Sequence, residues 1–550
     1  MPTLQFSHKH LERLLGRKMS SQQMRDAITS LGPDVEAVEG DMMTVEALAN
    51  RPDMMSSAGL ARAIASLQGI RAGLRKYTVK RAQHRVIVDK SVAGVRPYTA
   101  CAIVTGCKFD DARLRELLQV QEKLHASMCR NRRKAAIGVY PLDAISWPVR
   151  FEARKPSAIK FTPLDGGREM SAQQIIASTA QGQAYGHLLE GVPRYPVFVD
   201  ANGEILSMPP VINSATVGCV TTGTTSVFIE CSGFDQTVLD ALLTIIVCSL
   251  ADEGGTIHAV EVVYGRSAHV TPSVEPRQMA FSLDYLNKRC GTSWKERDVK
   301  QLLAKMGIGY GAGKALVPAY RVDVLHQVDL AEDCVIAYGL DALAPLRSGA
   351  ATVGGEHPRR VFIDRLASLL TGLGLLELNT LHLDSVANQT ERCAVKAHPV
   401  PLRNALNAEF SVLRSWMLPS ALEVLRTNKH NEYPQRFFAH GSVFARGDTD
   451  TGVAERGALV MLSSHARADY TEARQVLEYL ARLLDVELTI EDCELPWAIG
   501  GRAAKVRVGK ADIGVLAEVN PQVLSQWELE MPVAACELSL DALFEAVKKK

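Results

Sequence analysis

Residues 321–333 read Arg-Val-Asp-Val-Leu-His-Gln-Val-Asp-Leu-Ala-Glu-Asp and place four carboxylates, Asp323, Asp329, Glu332 and Asp333, in one short segment. A helix beginning near Asp329 sets 329, 332 and 333 at i, i+3 and i+4 on one face. Asp323 lies just upstream, after the strand-like run from Ala315 to Tyr320. Like charges on one face repel unless something neutralises them. A hard cation with oxygen donors does so, and Mg²⁺ or Ca²⁺ suits the site better than zinc because no His/Cys cluster accompanies the acids. The plainer reading is local: Asp329 with Glu332 as an acidic capping box, favoured by the helix macrodipole.

The residues that follow carry a resemblance. The block from Pro318 to Gly339, with Tyr320-Arg321, Asp323, His326, Asp329-Leu330, Glu332-Asp333 and Ala337-Tyr338-Gly339, resembles the B5 domain of phenylalanyl-tRNA synthetase β subunits of the archaeal and eukaryotic cytosolic type. The resemblance implies that Asp323, Asp329, Glu332 and Asp333 hold a Mg²⁺ ion close to an α subunit.

Two helical patterns elsewhere belong with this block. Leu11 to Gly32 can be laid on Leu286 to Gly307 without a gap: Leu11 meets Leu286, Gly16 meets Gly291, Ile28 meets Leu303, and Gly32 meets Gly307. Each copy reads as helix, glycine turn, helix, terminal glycine. Ser20 with Gln23, and Ser293 with Glu296, offer capping boxes for the second helices. The pair is similar to the B1 and B5 helix-turn-helix-like modules of the family. Asn50-Arg51-Pro52-Asp53 reads as a turn, and residues 57–67 as a helix with Leu60, Ile64 and Leu67 on one face.

Between the modules, residues 90–266 mix short strands and helices. Leu114 to Cys129 is predicted helical, and Val217 to Cys231 reads as paired strands about Thr221-Thr222-Gly223-Thr224. This stretch resembles the B3/4 domain, which in many family members hydrolyses mischarged Tyr-tRNA. The resemblance implies a pocket walled by Asn213 and Ser214 on one side and by Glu230 and Ser232 on the other. Such a pocket holds the tyrosine hydroxyl with a polar group, which phenylalanine leaves unpaired. Tyr140-Pro141 and Phe234 depart from the family pattern. The run Arg130-Asn131-Arg132-Arg133-Lys134 is a phosphate contact or a solvated face.

The last stretch is expected to be an antiparallel sheet with helices, from the helix at 361–371 to the strands at 505–509 and 513–519. It looks like a class II synthetase fold without a working active site. The segment Arg436 to Phe444 stands at motif 2, and no late Gly-rich segment ends in an arginine. Arg502 follows Gly500-Gly501 but comes too early. Lys548-Lys549-Lys550 is expected to fray.

Composition bounds the rest. The chain has 550 residues, 47% apolar and 22% charged, with a formal net charge of +1. That length suits about three or four domains. The charge argues against one dominant nucleic-acid surface. Eleven cysteines with no C-x-x-C spacing suit reduced thiols. No signal peptide is expected from the first residues. The apolar run 238–251 is too short for a membrane span and contains Asp240. The expected fold is α+β and multidomain: a B1 module over 1–88, a B3/4 domain over 89–268, a B5 domain over 269–350 and a catalytic-like module over 351–550. The resemblance then implies the β subunit of a cytoplasmic α₂β₂ ligase that charges tRNA-Phe, with phenylalanine activated on α. The competing reading is a free-standing helix-turn-helix nucleic-acid-binding protein.

Overall fold

The computed structural model describes residues 2–548 except 165, 346, 348 and 350–352. The chain divides into two compact units, Met1–Arg347 and Ser348–Lys550.

In the first unit the two echoed segments each form two helices: His8–Leu15 with Ser21–Thr29, and Leu283–Cys290 with Glu296–Lys305. Gly16 and Gly291, both at φ 66, end the first helix of each pair in the left-handed region, where a side chain would be strained. Ser20 and Gln23 form a capping box. Ser293 does not cap its helix; Lys295 and Asp298 occupy the cap instead, because the helix begins later than the Ser293 reading places it. Each pair accompanies a three-stranded sheet, one of Thr3–Ser7, Met42–Glu46 and Asp34–Glu39, the other of Arg277–Ala280, Lys314–Val317 and Gly309–Gly311. The helix Ser57–Leu67 has the predicted bounds.

A ten-stranded sheet lies between these modules in sequence. Its strand Ser226–Gly233 pairs antiparallel with Tyr98–Thr105 on one side and Ala135–Pro141 on the other. All three are almost wholly buried. The helix Gln236–Asp252 covers one face with Leu239, Leu242, Leu243, Ile246 and Val247. Burial of that helix in protein accounts for its apolar run, and among the described residues no helix is long and apolar enough to cross a membrane. The paired strands expected over 217–231 reduce to the single strand Ser226–Gly233. Residues 215–225 form a loop instead, with Thr224 accepting at its hydroxyl from the Thr221 N–H. The Thr224 hydroxyl thus serves a turn rather than a strand.

The second unit is built on a seven-stranded sheet in the order Leu376–Leu378, Gln435–Arg446, Val453–Ser464, Val533–Ser539, Ala511–Val519, Ala498–Val508 and Thr489–Asp492. Only the first pair is parallel. Helices Pro358–Gly372 and Tyr470–Leu483 pack on one face, and Leu418–Thr427 belongs to a second apolar cluster around the fully buried Trp527. The final helix runs to Lys548, the first residue of the expected frayed tail; Lys549 and Lys550 lie outside the described residues.

Candidate functional site

The four acids of the 321–333 segment separate into different roles. Buried Arg321 answers two of them: its NH2 donates to Asp323 Oδ2 and to Asp333 Oδ2, each at 2.8 Å. Arg51 pairs in the same way with Asp53, and its Nε lies 4.0 Å from Asp323. Asp329 accepts from the N–H groups of Leu325 and His326, at 2.7 and 2.8 Å, and closes the capping box of the helix Gln327–Tyr338. The helix therefore starts ahead of Asp329, with His326 as its cap. Glu332 is exposed and takes no part in that box.

Among the described residues the four carboxylates are not gathered as one ligand set. Their chemistry nevertheless suits a hard cation. Asp53, Asp323 and Asp333 share Arg51 and Arg321, and the charge of Arg62 also reaches Asp53. Burial pushes Asp333 above the usual carboxylate range even with Arg321 beside it. Asp329 and Glu332 add charge at the surface end of the same segment.

A second site is assembled from distant parts of the chain. A cavity of about 460 Å³ is lined by the helix Asp111–Ala126, the turn after it, residues 209–213, the loop 218–220 and Glu230. Asn213 and Glu230 line it. Ser214 does not; it is buried, and its Oγ accepts from the Thr216 N–H. Ser232 does not either, because its Oγ accepts from Arg96 Nε at 3.2 Å. Two of the four expected wall residues therefore face the cavity.

Glu230 sits at the centre of a polar relay. The Tyr140 hydroxyl lies 3.1 Å from Glu230 Oε1 and 2.7 Å from Ser207 Oγ. Gly138 makes this possible, since a Cβ there would stand 2.1 Å from the Tyr140 hydroxyl and 2.6 Å from Glu230 Oε1. Burial raises the Glu230 carboxyl to about 7, against the downward pull of Tyr140 and Arg96. Its Oε2 is buried without a partner.

Three more residues that line the same cavity each carry a buried atom without a partner. The Ile137 N–H donates to His125 Nε2 at 2.8 Å, so the ring proton sits on Nδ1, which has no acceptor. Burial and the nearby Arg132 and Arg96 hold His125 well below its usual range, and the ring stays neutral. Arg132 donates from NH1 to the carbonyls of Pro210 and Val211 and stacks on Tyr185, leaving Nε unpaired. Gln181 Oε1 is the third. Twelve buried side-chain atoms lack a partner among the described residues, and four of them belong to residues that line this one cavity. Buried polar groups are normally paired, so this concentration marks a place built for a polar ligand.

Arg132 reaches the cavity through an unusual backbone. Arg130, Asn131 and Arg132 take φ 50, 52 and 61 in succession, a costly arrangement for side-chain-bearing residues. The Arg/Lys run read as a phosphate contact or solvated face is thus divided, with Arg132 directed inward and Arg130 and Arg133 exposed. His125 and Ser207 carried no sequence pattern that singled them out.

In the second unit Arg502 is exposed and pairs with Glu518 at 2.7 Å. Arg436, near the start of the strand Gln435–Arg446, pairs with Glu472 at 2.9 Å.

Comparison with known proteins bears on both units. A model described as tRNA synthetase B5 domain matches residues 279–340, and one described as phenylalanyl tRNA synthetase beta chain CLM domain matches residues 345–540. The phenylalanine-tRNA ligase beta subunit of Pyrococcus abyssi is 35% identical, over 99% of this chain and 100% of that one. That of Archaeoglobus fulgidus is 37% identical, over 99% of each. The crystal structure of an N-terminal fragment of the phenylalanyl-tRNA synthetase beta-subunit from Pyrococcus horikoshii is 36% identical, with a TM-score of 0.60. It covers 61% of this chain and 99% of the fragment. Similarity running the whole length, well beyond the two helix pairs, sets aside the reading as a free-standing helix-turn-helix protein. The chain belongs to the phenylalanine-tRNA ligase beta-subunit family.

Proposed function

We propose that this chain is the β subunit of a ligase that joins L-phenylalanine to tRNA-Phe with ATP, releasing AMP and diphosphate. It works in an α₂β₂ heterotetramer in the cytoplasm, with the aminoacylation centre on α. The observation that carries the reading is identity of about a third over the full length of β subunits. The second unit serves as a catalytic-like scaffold. Its two candidate arginines, Arg436 and Arg502, are already engaged by Glu472 and Glu518. Residues 1–88, 89–268 and 269–350 act as B1, B3/4 and B5 domains. Phenylalanine-dependent ATP–pyrophosphate exchange tests the scaffold role: it is absent from the purified chain and appears with α. Exchange by the chain alone would refute it.

The cavity around Glu230 is the proofreading pocket for Tyr-tRNA-Phe. Its free Oε2 accepts the phenolic hydroxyl of a misattached tyrosine. Phenylalanine offers no donor and leaves a buried carboxyl oxygen unpaired, a discrimination worth up to about 10⁴–10⁵-fold when a site is built for a hydroxyl. Asn213 and His125 stand on the walls as further polar residues. Deacylation of Tyr-tRNA-Phe by the α₂β₂ enzyme tests this, with Glu230→Ala slowing hydrolysis and leaving phenylalanylation intact.

Asp323, Asp329, Glu332 and Asp333 would hold the Mg²⁺ ion near α. The cation would counter the carboxylate charge of this segment, while Arg321 and Arg51 hold Asp323, Asp333 and Asp53 in place.

A further inference from the structure

One group of side chains has no part in the functions above. His10 lies on the helix His8–Leu15, Glu116 on the helix Asp111–Ala126, and Glu253 caps the C-terminus of the helix Gln236–Asp252. One ligand atom of each falls within 4.8 Å of the others, the one such grouping of His, Cys, Asp and Glu among the described residues. His10 Nδ1 stands 3.6 Å from Glu116 Oε2, and Nε2 stands 3.9 Å from Glu253 Oε1. Both separations are too long for hydrogen bonds. The imidazole is 9% exposed, and its Nε2 is buried with no partner. A cavity of about 30 Å³ lined in part by Glu116, Glu253 and Arg113 adjoins the group.

We propose that His10, Glu116 and Glu253 form a site for a divalent transition metal of the zinc type, clipping the N-terminal helix to two helices of the central region. An imidazole with two carboxylates is a mixed nitrogen and oxygen set that suits zinc better than magnesium and leaves a fourth position for water. Glu116 is oriented by the Ser57 N–H, which donates to its Oε1 at 2.6 Å and leaves Oε2 for the metal. The C-terminal end of the helix before Glu253 adds the negative pole of its dipole.

The electrostatics are mixed. Burial, Arg13 and Arg113 hold His10 down to about 4, so the ring is in the neutral form that binds metal. Burial and the neighbouring Glu116 lift Glu253 to about 7, and burial lifts Glu116 too. A bound cation reverses both, since it favours ionised carboxylates. Arg113, with Nε 3.5 Å from Glu253, and Arg13 oppose the metal, while Asp110 assists it. His8 and Glu12, 3.9 Å apart, lie on the same helix as His10.

The test uses the full-length chain co-expressed with α and stripped of metal. Zn²⁺ is titrated calorimetrically and Co²⁺ optically. The expected result is a single zinc per chain and a Co²⁺ spectrum without a thiolate charge-transfer band. His10→Asn and Glu253→Gln should each weaken zinc by more than roughly 100-fold, and Cys219→Ser, which removes an exposed thiol, should change nothing. Zinc should raise the Tm of the parent and not that of Glu253→Gln. Glu253→Gln relieves a buried charge, so it remains a folded control if His10→Asn does not fold. No stoichiometric zinc on the parent, a thiolate band, or unchanged affinity in Glu253→Gln would each overturn the proposal.

Discussion

Asp333 and Glu230 are both fully buried carboxyls at candidate sites, and the molecule treats them in opposite ways. Asp333 is paired with a buried guanidinium at 2.8 Å. Glu230 has the Tyr140 phenol on one oxygen, no hydrogen-bond partner on the other, and the Arg96 guanidinium only as a charge nearby. The first arrangement is a charge locked in place by a charge. The second is a carboxyl poised near neutrality, on a residue that lines a cavity and keeps one buried oxygen unpaired. The difference separates a group whose work is to hold backbone and neighbouring acids from one able to change partners when a ligand arrives. Burial alone does not distinguish them; the partner does.

The largest effect should come from breaking the locked pair. Arg321→Met leaves Asp323 and Asp333 without their shared cation and should cost about 3–5 kcal/mol, as for other buried ion pairs that lose one member. Urea denaturation of the first unit measures it. A loss under about 1 kcal/mol would mean that the two regions differ less than their geometry says.

Glu230→Gln attacks the other side. The folded-state value of about 7 lies above the ordinary glutamate value of 4.5, so the folded chain keeps a proton that the unfolded chain releases. Stability should therefore be full below about 4.5 and fall as pH rises to about 7, by roughly 3 kcal/mol for this group. Glutamine removes that share of the slope. Thermal melts from pH 4.5 to 8 would show it, and an unchanged slope would refute the neutral-carboxyl reading.

Tyr140→Phe sharpens the comparison further. It deletes the donor to Glu230 and should cost about 1–3 kcal/mol through two unmade hydrogen bonds. It should also raise the Glu230 carboxyl further, shifting the pH profile of Tyr-tRNA-Phe hydrolysis to higher pH.

The smallest effect belongs to the surface acids. Asp329→Asn should cost about 1 kcal/mol without Mg²⁺, the value of a helix cap. Combined with Glu332→Gln, it should abolish any rise in Tm of the αβ complex on adding Mg²⁺. Identical Mg²⁺ responses in parent and variant would remove the metal site and leave only the cap.

The two regions also differ in how far the sequence reveals them. The acids of 321–333 are neighbours in the chain, so spacing alone placed three of them on a helix, and Gly16, Gly291 and Ser20 fixed helix ends by local rules. Local rules stop at partners. Nothing in the segment told that Arg321 would bridge Asp323 and Asp333, or that Asp329 would spend its oxygen on two backbone N–H groups. Of the four pocket residues that the resemblance implied, Asn213 and Glu230 line the cavity and Ser214 and Ser232 do not. Strand register sent the Ser232 hydroxyl to Arg96, more than a hundred residues away. His125, Arg132, Gln181 and Ser207 meet there only because distant helix, turn and strand segments converge. Sequence determined the elements and the family, because hydrophobic period, capping and motif spacing are local. Tertiary structure decided which polar atoms were left without partners, because pairing in a dry interior depends on every segment that packs around it.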